Sequence, residues 1–182
     1  MIPAFEGYPK IGRLDRTCIV TEKIDGTNAQ IYITDEMEAV AGSRNRWLLP
    51  GQSDNFGFAA WVNDHAEELV AGLGAGRHFG EWWGSGIQRG YGLLDGEKRF
   101  SLFNTTRWSD PEKRPKCCGV VPVLLQHTFN SAKIDAVLAQ LAETGSVASP
   151  GFMKPEGIVV FHTASSTLYK KTLDGDGAKG ER

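Results

Sequence analysis

Between Cys18 and Thr34 the sequence reads CIVTEKIDGTNAQIYIT, two β-rich arms around Asp25-Gly26-Thr27-Asn28, a cluster of residues that favour turns. A strand, turn, strand hairpin is predicted here. From Phe58 to Leu69 the side chains Phe58, Trp61, Val62, His65 and Leu69 recur at helical spacing with polar residues between them, which predicts an amphipathic helix packed on a sheet. A second helix is predicted from about Ala132 to Glu143, with Ser131 as its N-cap, Ile134, Val137, Leu138 and Leu141 as its apolar stripe, and Gly145 ending it. Short apolar runs at 77–83, 99–104, 120–127, 157–162 and 167–172 are bounded by Gly, Pro and polar turns and read as strands. Hairpin-like connections with two good helices predict an α+β fold of mostly antiparallel sheets with flanking helices, not a doubly wound parallel sheet. No internal repeat is visible.

The 182 residues, 41% of them hydrophobic, suffice for one substantial core and are few for two. One domain is expected over residues 1–174. The Gly-rich, charged ending 175–182 has no apolar anchor after Leu173 and is expected to fray. The net charge of -2 excludes a global attraction to nucleic acid, so contact with a polynucleotide must come from local basic patches: Lys10 to Arg16, Arg44 with Arg46, or Arg107 to Lys116. Three cysteines, two of them the neighbours Cys117 and Cys118, give neither an even disulfide framework nor zinc-site spacing, which fits a reducing cytoplasm. No leader-like segment and no apolar run of about 18 residues is present, so no membrane association is expected.

The candidate chemistry centres on Lys23-Ile24-Asp25-Gly26. On a strand, positions i and i+2 share a face, which would let the Lys23 amine and the Asp25 carboxylate address one small volume. Gly26 would permit a sharp turn or a close backbone approach. A lysine attacks phosphorus only as the free amine, and with an ordinary pKa of about 10.4 it needs desolvation or neighbouring cations to supply one. Lys170 and Lys171 are candidates for those cations. Taken alone, Lys-x-Asp-Gly is also a common surface turn.

Further segments follow in order: TEKIDGTNAQ at Thr21–Gln30, then Gly42-Ser43-Arg44, Phe79-Gly80-Glu81-Trp82, Ser101-Leu102-Phe103, Lys154-Pro155-Glu156-Gly157 and Leu168-Tyr169-Lys170-Lys171. Together, from about Gly7 to Thr172, they resemble the motifs of covalent nucleotidyltransferases, the superfamily of ATP- and NAD-dependent polynucleotide ligases and mRNA capping enzymes. With Asn28 after the lysine, the pattern is most similar to the ATP-dependent RNA ligases of the phage nick-joining (RNA ligase 2-like) family.

That resemblance implies a nucleotidyltransferase (adenylation) domain that forms a lysyl-AMP intermediate, adenylylates a 5′-phosphate end and seals it to a 3′-hydroxyl. Lys23 would be the nucleophile, with Lys170 and Glu156 completing the catalytic group and Glu156 holding Mg2+ or Mn2+. Glu22, Lys23, Asn28, Arg44, Glu81, Phe103, Lys170 and Lys171 would contact the nucleotide. Arg44 would grip ribose or phosphate oxygens with its planar fork, Glu81 the ribose hydroxyls, and Phe103 would stack on adenine.

Each residue also has a plainer reading: a solvated loop arginine for Arg44, a salt bridge to Arg89 or Arg77 for Glu81, core packing for Phe103, a turn asparagine for Asn28. The loop Trp82–Gly92 suits nucleotide contact or tryptophan packing equally. The last motif departs from the family pattern, which has lysines two apart. Adjacent Lys170 and Lys171 point to opposite faces, Lys170 being favoured for the phosphate and Thr172 falling in the second slot. Only 22 residues precede Lys23, which favours ATP over NAD as the donor. No C-terminal OB-type domain is expected after the last motif. The expected partners are ATP and nicked or broken RNA, with DNA as the alternative. The absent domain leaves room for a protein partner that supplies end binding, and for a second reading in which the chain is a nucleotide- or RNA-binding module or a self-adenylylating domain that does not itself join ends.

Overall fold

The computed structural model describes residues 2–175; most of the predicted fraying ending lies outside them. The α+β fold is as expected: nine strands and four helices among the described residues. The strands are β1 (Thr17–Lys23), β2 (Thr27–Ile33), β3 (Ala39–Ser43), β4 (Gly76–Gly84), β5 (Lys98–Leu102), β6 (Cys118–Val120), β7 (Val123–Thr128), β8 (Gly157–His162) and β9 (Thr167–Thr172). The helices are α1 (Phe58–Asp64), α2 (Ala66–Leu73), the single turn α3 (Thr105–Trp108) and α4 (Ser131–Thr144). They build a four-stranded sheet in the order β7-β1-β8-β9 and a five-stranded sheet in the order β3-β2-β4-β5-β6. Every pairing is antiparallel except β5 with β6.

The predicted hairpin is corrected. Both arms are strands, but β1 pairs with β7 and β8 while β2 pairs with β3 and β4, so Ile24–Gly26 crosses from one sheet to the other. Gly26 is what allows the crossing. A Cβ there would lie 2.4 Å from the Trp82 carbonyl oxygen, a distance no side chain tolerates, so the chain passes directly against β4 only as glycine.

The expected single helix from Phe58 is two, because His65 leaves helical geometry at φ -109° and ψ 12°. The expected strand at 120–127 is likewise two strands in different sheets. Pro122 stands between them, and a residue without an N–H cannot continue a ladder; its carbonyl instead accepts the Glu22 N–H at 2.9 Å. Ser131 opens α4, whose cap is the preceding Asn130, its side chain accepting the Lys133 N–H at 3.0 Å.

Each sheet is covered on its outer face. Helix α4 sets Ile134 and Leu141 against Cys18, Val20, Ile158 and Val160. Helices α1 and α2 set Phe58, Val62, Leu69 and Leu73 against Ile31, Ile33, Trp82, Phe100 and Leu102. A third cluster of Ile24, Trp83, Tyr91 and Val121, with Phe152 packed on it, closes one end between the sheets. The alternate positions of the strands therefore face each other across an open cleft.

Candidate active site

The cleft has a volume of about 1000 Å³, at the top of the range for small-molecule sites and ample for a nucleoside triphosphate. Strand alternation decides what lines it. Thr21 and Lys23 of β1 face in, and their cross-strand partners are Val159 and Gly157 of β8, whose own partners on β9 are Lys170 and Thr172. From the other sheet come Asn28 of β2 and its partner Glu81 of β4, with Arg44 just after β3 and Phe103 just after β5. The structure thus brings Lys23, Asn28, Arg44, Glu81, Phe103 and Lys170 to one cleft.

Lys23 ends β1, where its Nζ donates to Glu156 Oε2 at 2.5 Å. The two side chains are 26% and 18% exposed, so Lys23 lines the cleft with Glu156 beside it and the pair remains reachable from solvent. Glu156 directly precedes β8 and owes its position to the Gly157–Lys23 register. Gly157, at φ 154°, leaves no room for a Cβ, which would lie 2.2 Å from the Lys171 carbonyl oxygen.

Glu81 is 9% exposed and accepts from the Gly26 N–H at 3.1 Å and the Asn28 amide at 3.3 Å. Neither predicted arginine pairs with it. Arg77 lies over the Tyr32 and Trp47 rings and bonds Gln30, and Arg89 turns to Asp25. Burial raises the Glu81 carboxyl from 4.5 to about 7, against the opposing pull of the Lys23 charge and the Gly26 N–H.

Because this folded-state value lies above the unfolded one, the folded protein holds that proton more tightly. The stability it contributes is full below about pH 4.5 and is lost as pH rises to about 7. Glu81→Gln removes this dependence. Urea unfolding is expected to show the variant gaining on the parent protein between pH 5 and pH 8, by about 1–3 kcal/mol at the upper end. A stability difference that does not change with pH would contradict this origin.

Phe103, 38% exposed, is a wall of the cleft and not a core residue. The Arg44 and Lys170 side chains are exposed and have no hydrogen-bond or ion-pair partner among the described residues.

Two expectations are corrected, and Glu22, which lines the cleft, turns its side chain elsewhere. Asp25 does not share the Lys23 volume, since β1 stops at Lys23 and the Asp25 carboxylate pairs with Arg89 Nε at 2.9 Å. Lys171 points to the other face of β9 and forms an ion pair with Asp135 of α4, as alternation requires. Glu22, 1% exposed, points away from the Lys23 amine. Its carboxylate accepts from the Ser146 hydroxyl at 2.6 Å and the Val147 and Ala148 N–H groups at 2.8 Å each, so it anchors the loop after α4.

The basic patch at 107–116 is also partly committed to the fold. Arg107 bonds the Leu73 carbonyl, and Arg114 bonds those of Trp108 and Cys118. Sequence reasoning missed Tyr91, whose fully buried hydroxyl lies beneath the cleft floor. The Gly-Tyr-Gly setting in a loop rich in tryptophan was the available signal.

No group of three or more His, Cys, Asp or Glu side chains able to hold a metal occurs among the described residues. This donor set fits magnesium or manganese bound through one carboxylate, Glu156, together with phosphate oxygens and water, and does not fit a metal held by protein alone.

An RNA ligase of Naegleria gruberi has a similar fold. In a variant with ATP and Mn it is 21% identical, with a TM-score of 0.66 over 88% of this chain and 50% of that one. A variant with AMP and Mn is 20% identical, TM-score 0.66, covering 95% and 57%, and the ligase with PPi is 19% identical, TM-score 0.62, covering 95% and 57%. The chain spans about half the length of these proteins. No curated protein matches it. The family model described as RNA ligase matches residues 16–172, a span that starts at the foot of β1 and ends with β9. It takes in both sheets and the cleft between them, and on that match the chain belongs to the RNA ligase family.

Proposed function

We propose that residues 1–174 form the nucleotidyltransferase domain of an ATP-dependent RNA ligase, in which Lys23 carries AMP between ATP and a 5′-phosphorylated RNA end. The observation that carries this reading is Lys23, which lines a nucleotide-sized cleft and pairs with Glu156 at 2.5 Å. The Naegleria gruberi ligase, of similar fold, occurs with ATP and Mn, with AMP and Mn, and with PPi, which is consistent with ATP, a divalent metal and this chemistry.

In the first step the Nζ lone pair attacks the α-phosphorus. A phosphorus–nitrogen bond forms, the bond to the β-phosphate oxygen breaks, pyrophosphate leaves, and the amine gives up a proton. Attack requires Nζ to leave its hydrogen bond to Glu156, so that the amine faces phosphorus and not a carboxylate. A divalent cation held by Glu156 would shield the triphosphate and stabilise charge developing in the transition state. Lys170 contributes positive charge on the same face of the sheet, where it can offset the charge of the phosphates. Phe103 covers the base, Glu81 and Asn28 address the ribose, and Arg44 grips oxygen atoms from the rim. In the second step a 5′-phosphate oxygen displaces Lys23 from AMP, and in the third a 3′-hydroxyl attacks the activated end and expels AMP. Alignment and charge stabilisation supply most of the catalysis in each.

No helix among the described residues is long and apolar enough to cross a membrane, and Cys18, Cys117 and Cys118 are free thiols. These features suit work in a reducing cytoplasm. Incubation with α-labelled ATP and Mg2+ is expected to leave label on the denatured protein, and chase with nicked RNA duplex to give joined strands. Label without joining would support the self-adenylylating domain that needs a partner. Absence of both would overturn the proposal.

A further inference from the structure

The β4–β5 loop, left undecided by the sequence, grips the catalytic floor from below. Tyr91 is fully buried and held at φ 49°, with its ring 5.4 Å from Trp83 and 4.6 Å from Phe152. Its hydroxyl accepts from the Asp25 N–H at 3.0 Å and the Glu156 N–H at 3.4 Å, and donates to the Lys23 carbonyl at 3.3 Å. One oxygen therefore joins the backbone of the nucleophile to that of its carboxylate partner, and a phenol has no further hydrogen-bonding capacity. Two residues earlier, Arg89 spans the same two segments. Its Nε bonds the Asp25 carboxylate at 2.9 Å, its Nη1 the Lys154 and Pro155 carbonyls at 3.2 and 3.4 Å, and its Nη2 the Asp174 carboxylate at 2.5 Å. Neither side chain lines the cleft.

We propose that Tyr91 and Arg89 form a positioning clamp that holds the end of β1 against the start of β8, and thereby sets the aim of the Lys23 amine, its pairing with Glu156 and the rate of covalent AMP transfer. The link to AMP transfer rests on the function proposed above; the link to the Lys23–Glu156 pair does not. Both lysine and glutamate have long flexible side chains, so their meeting depends on how closely the backbone holds the ends of β1 and the start of β8. The phenol fixes that spacing directly, and the guanidinium fork locks the residues on either side. An error of about 1 Å at this point is enough to slow a positioned reaction by about a hundredfold.

Tyr91→Phe keeps the ring packing and removes only the hydroxyl. It is expected to slow labelling of Lys23 by about tenfold to a hundredfold while the KM for ATP stays within about twofold, the signature of lost alignment and not lost binding. Arg89→Lys, which cannot serve all four acceptors at once, is expected to move the rate in the same direction. Phe152→Leu is the control. It loosens the same aromatic cluster and lowers the Tm, but leaves the labelling rate unchanged.

A second readout needs no ATP. Competitive acylation at pH 8, read by mass spectrometry, is expected to show Lys23 several-fold more reactive in Tyr91→Phe than in the parent protein, with the exposed Lys113 and Lys116 unchanged. If the parent protein takes no label, the function proposal fails and the acylation result still decides the clamp. Unchanged Lys23 acylation in Tyr91→Phe, or an equal change in Phe152→Leu, would overturn it.

Discussion

Lys23→Ala is expected to abolish covalent labelling by ATP, lowering the retained label by at least about four orders of magnitude, the scale on which covalent enzymes respond to loss of their nucleophile. Lys23→Arg should be as inactive. A guanidinium keeps the positive charge and the partner Glu156, but it does not give up its proton and so presents no lone pair to phosphorus. Folding should be little affected by either change, because the Lys23–Glu156 pair is partly exposed and such pairs contribute about 1 kcal/mol or less. Comparing the two variants separates a nucleophile from a mere phosphate-binding cation. Residual labelling in Lys23→Arg would place the covalent chemistry elsewhere.

The second large effect is structural. Glu22→Ala removes the acceptor of three donors, the Ser146 hydroxyl and the Val147 and Ala148 N–H groups, at a site 1% exposed. Hydrogen bonds to a charged group contribute roughly 1.5–3 kcal/mol each, and buried donors left unpaired carry a further penalty. Allowing for partial rescue by water, the expected loss is about 3–5 kcal/mol, or a fall in Tm of about 6–20 °C for a chain of this size. The disturbance should spread through Ser146, whose hydroxyl also accepts from Ser149, to the Tyr91 carbonyl that Ser149 holds. Urea unfolding checks it. A loss below about 1 kcal/mol would mean that the carboxylate is not the loop's anchor.

These two neighbours show what could be read in the sequence and what could not. Alternation along β1 puts Lys23 and Glu22 on opposite faces, so one rule sends the first into the cleft and the second into the loop after α4. The same rule separates Lys170 from Lys171, and Asp135 of α4 gives the outward lysine its counter-charge. Motif order put Glu81 and Phe103 together because β4 and the end of β5 bring them to one cleft, and Glu156 with them because it meets Lys23 there. Partner choice was not legible. The pattern around Asp25-Gly26 indicates two strands and a turn, but a hairpin and a crossing between sheets need the same turn residues. What decides is a contact with Trp82, 56 positions downstream of Gly26. For the same reason Arg89 could be assigned to Glu81 from composition, although three-dimensional proximity gives it to Asp25 and Asp174.

The most direct test of the account is to find the atom that carries AMP. The protein is incubated with ATP and Mg2+, denatured, digested and mapped by mass spectrometry. AMP is expected on Lys23 alone, with Lys170 and Lys171 unmodified; an adduct on any other side chain while Lys23 remains bare would contradict the account.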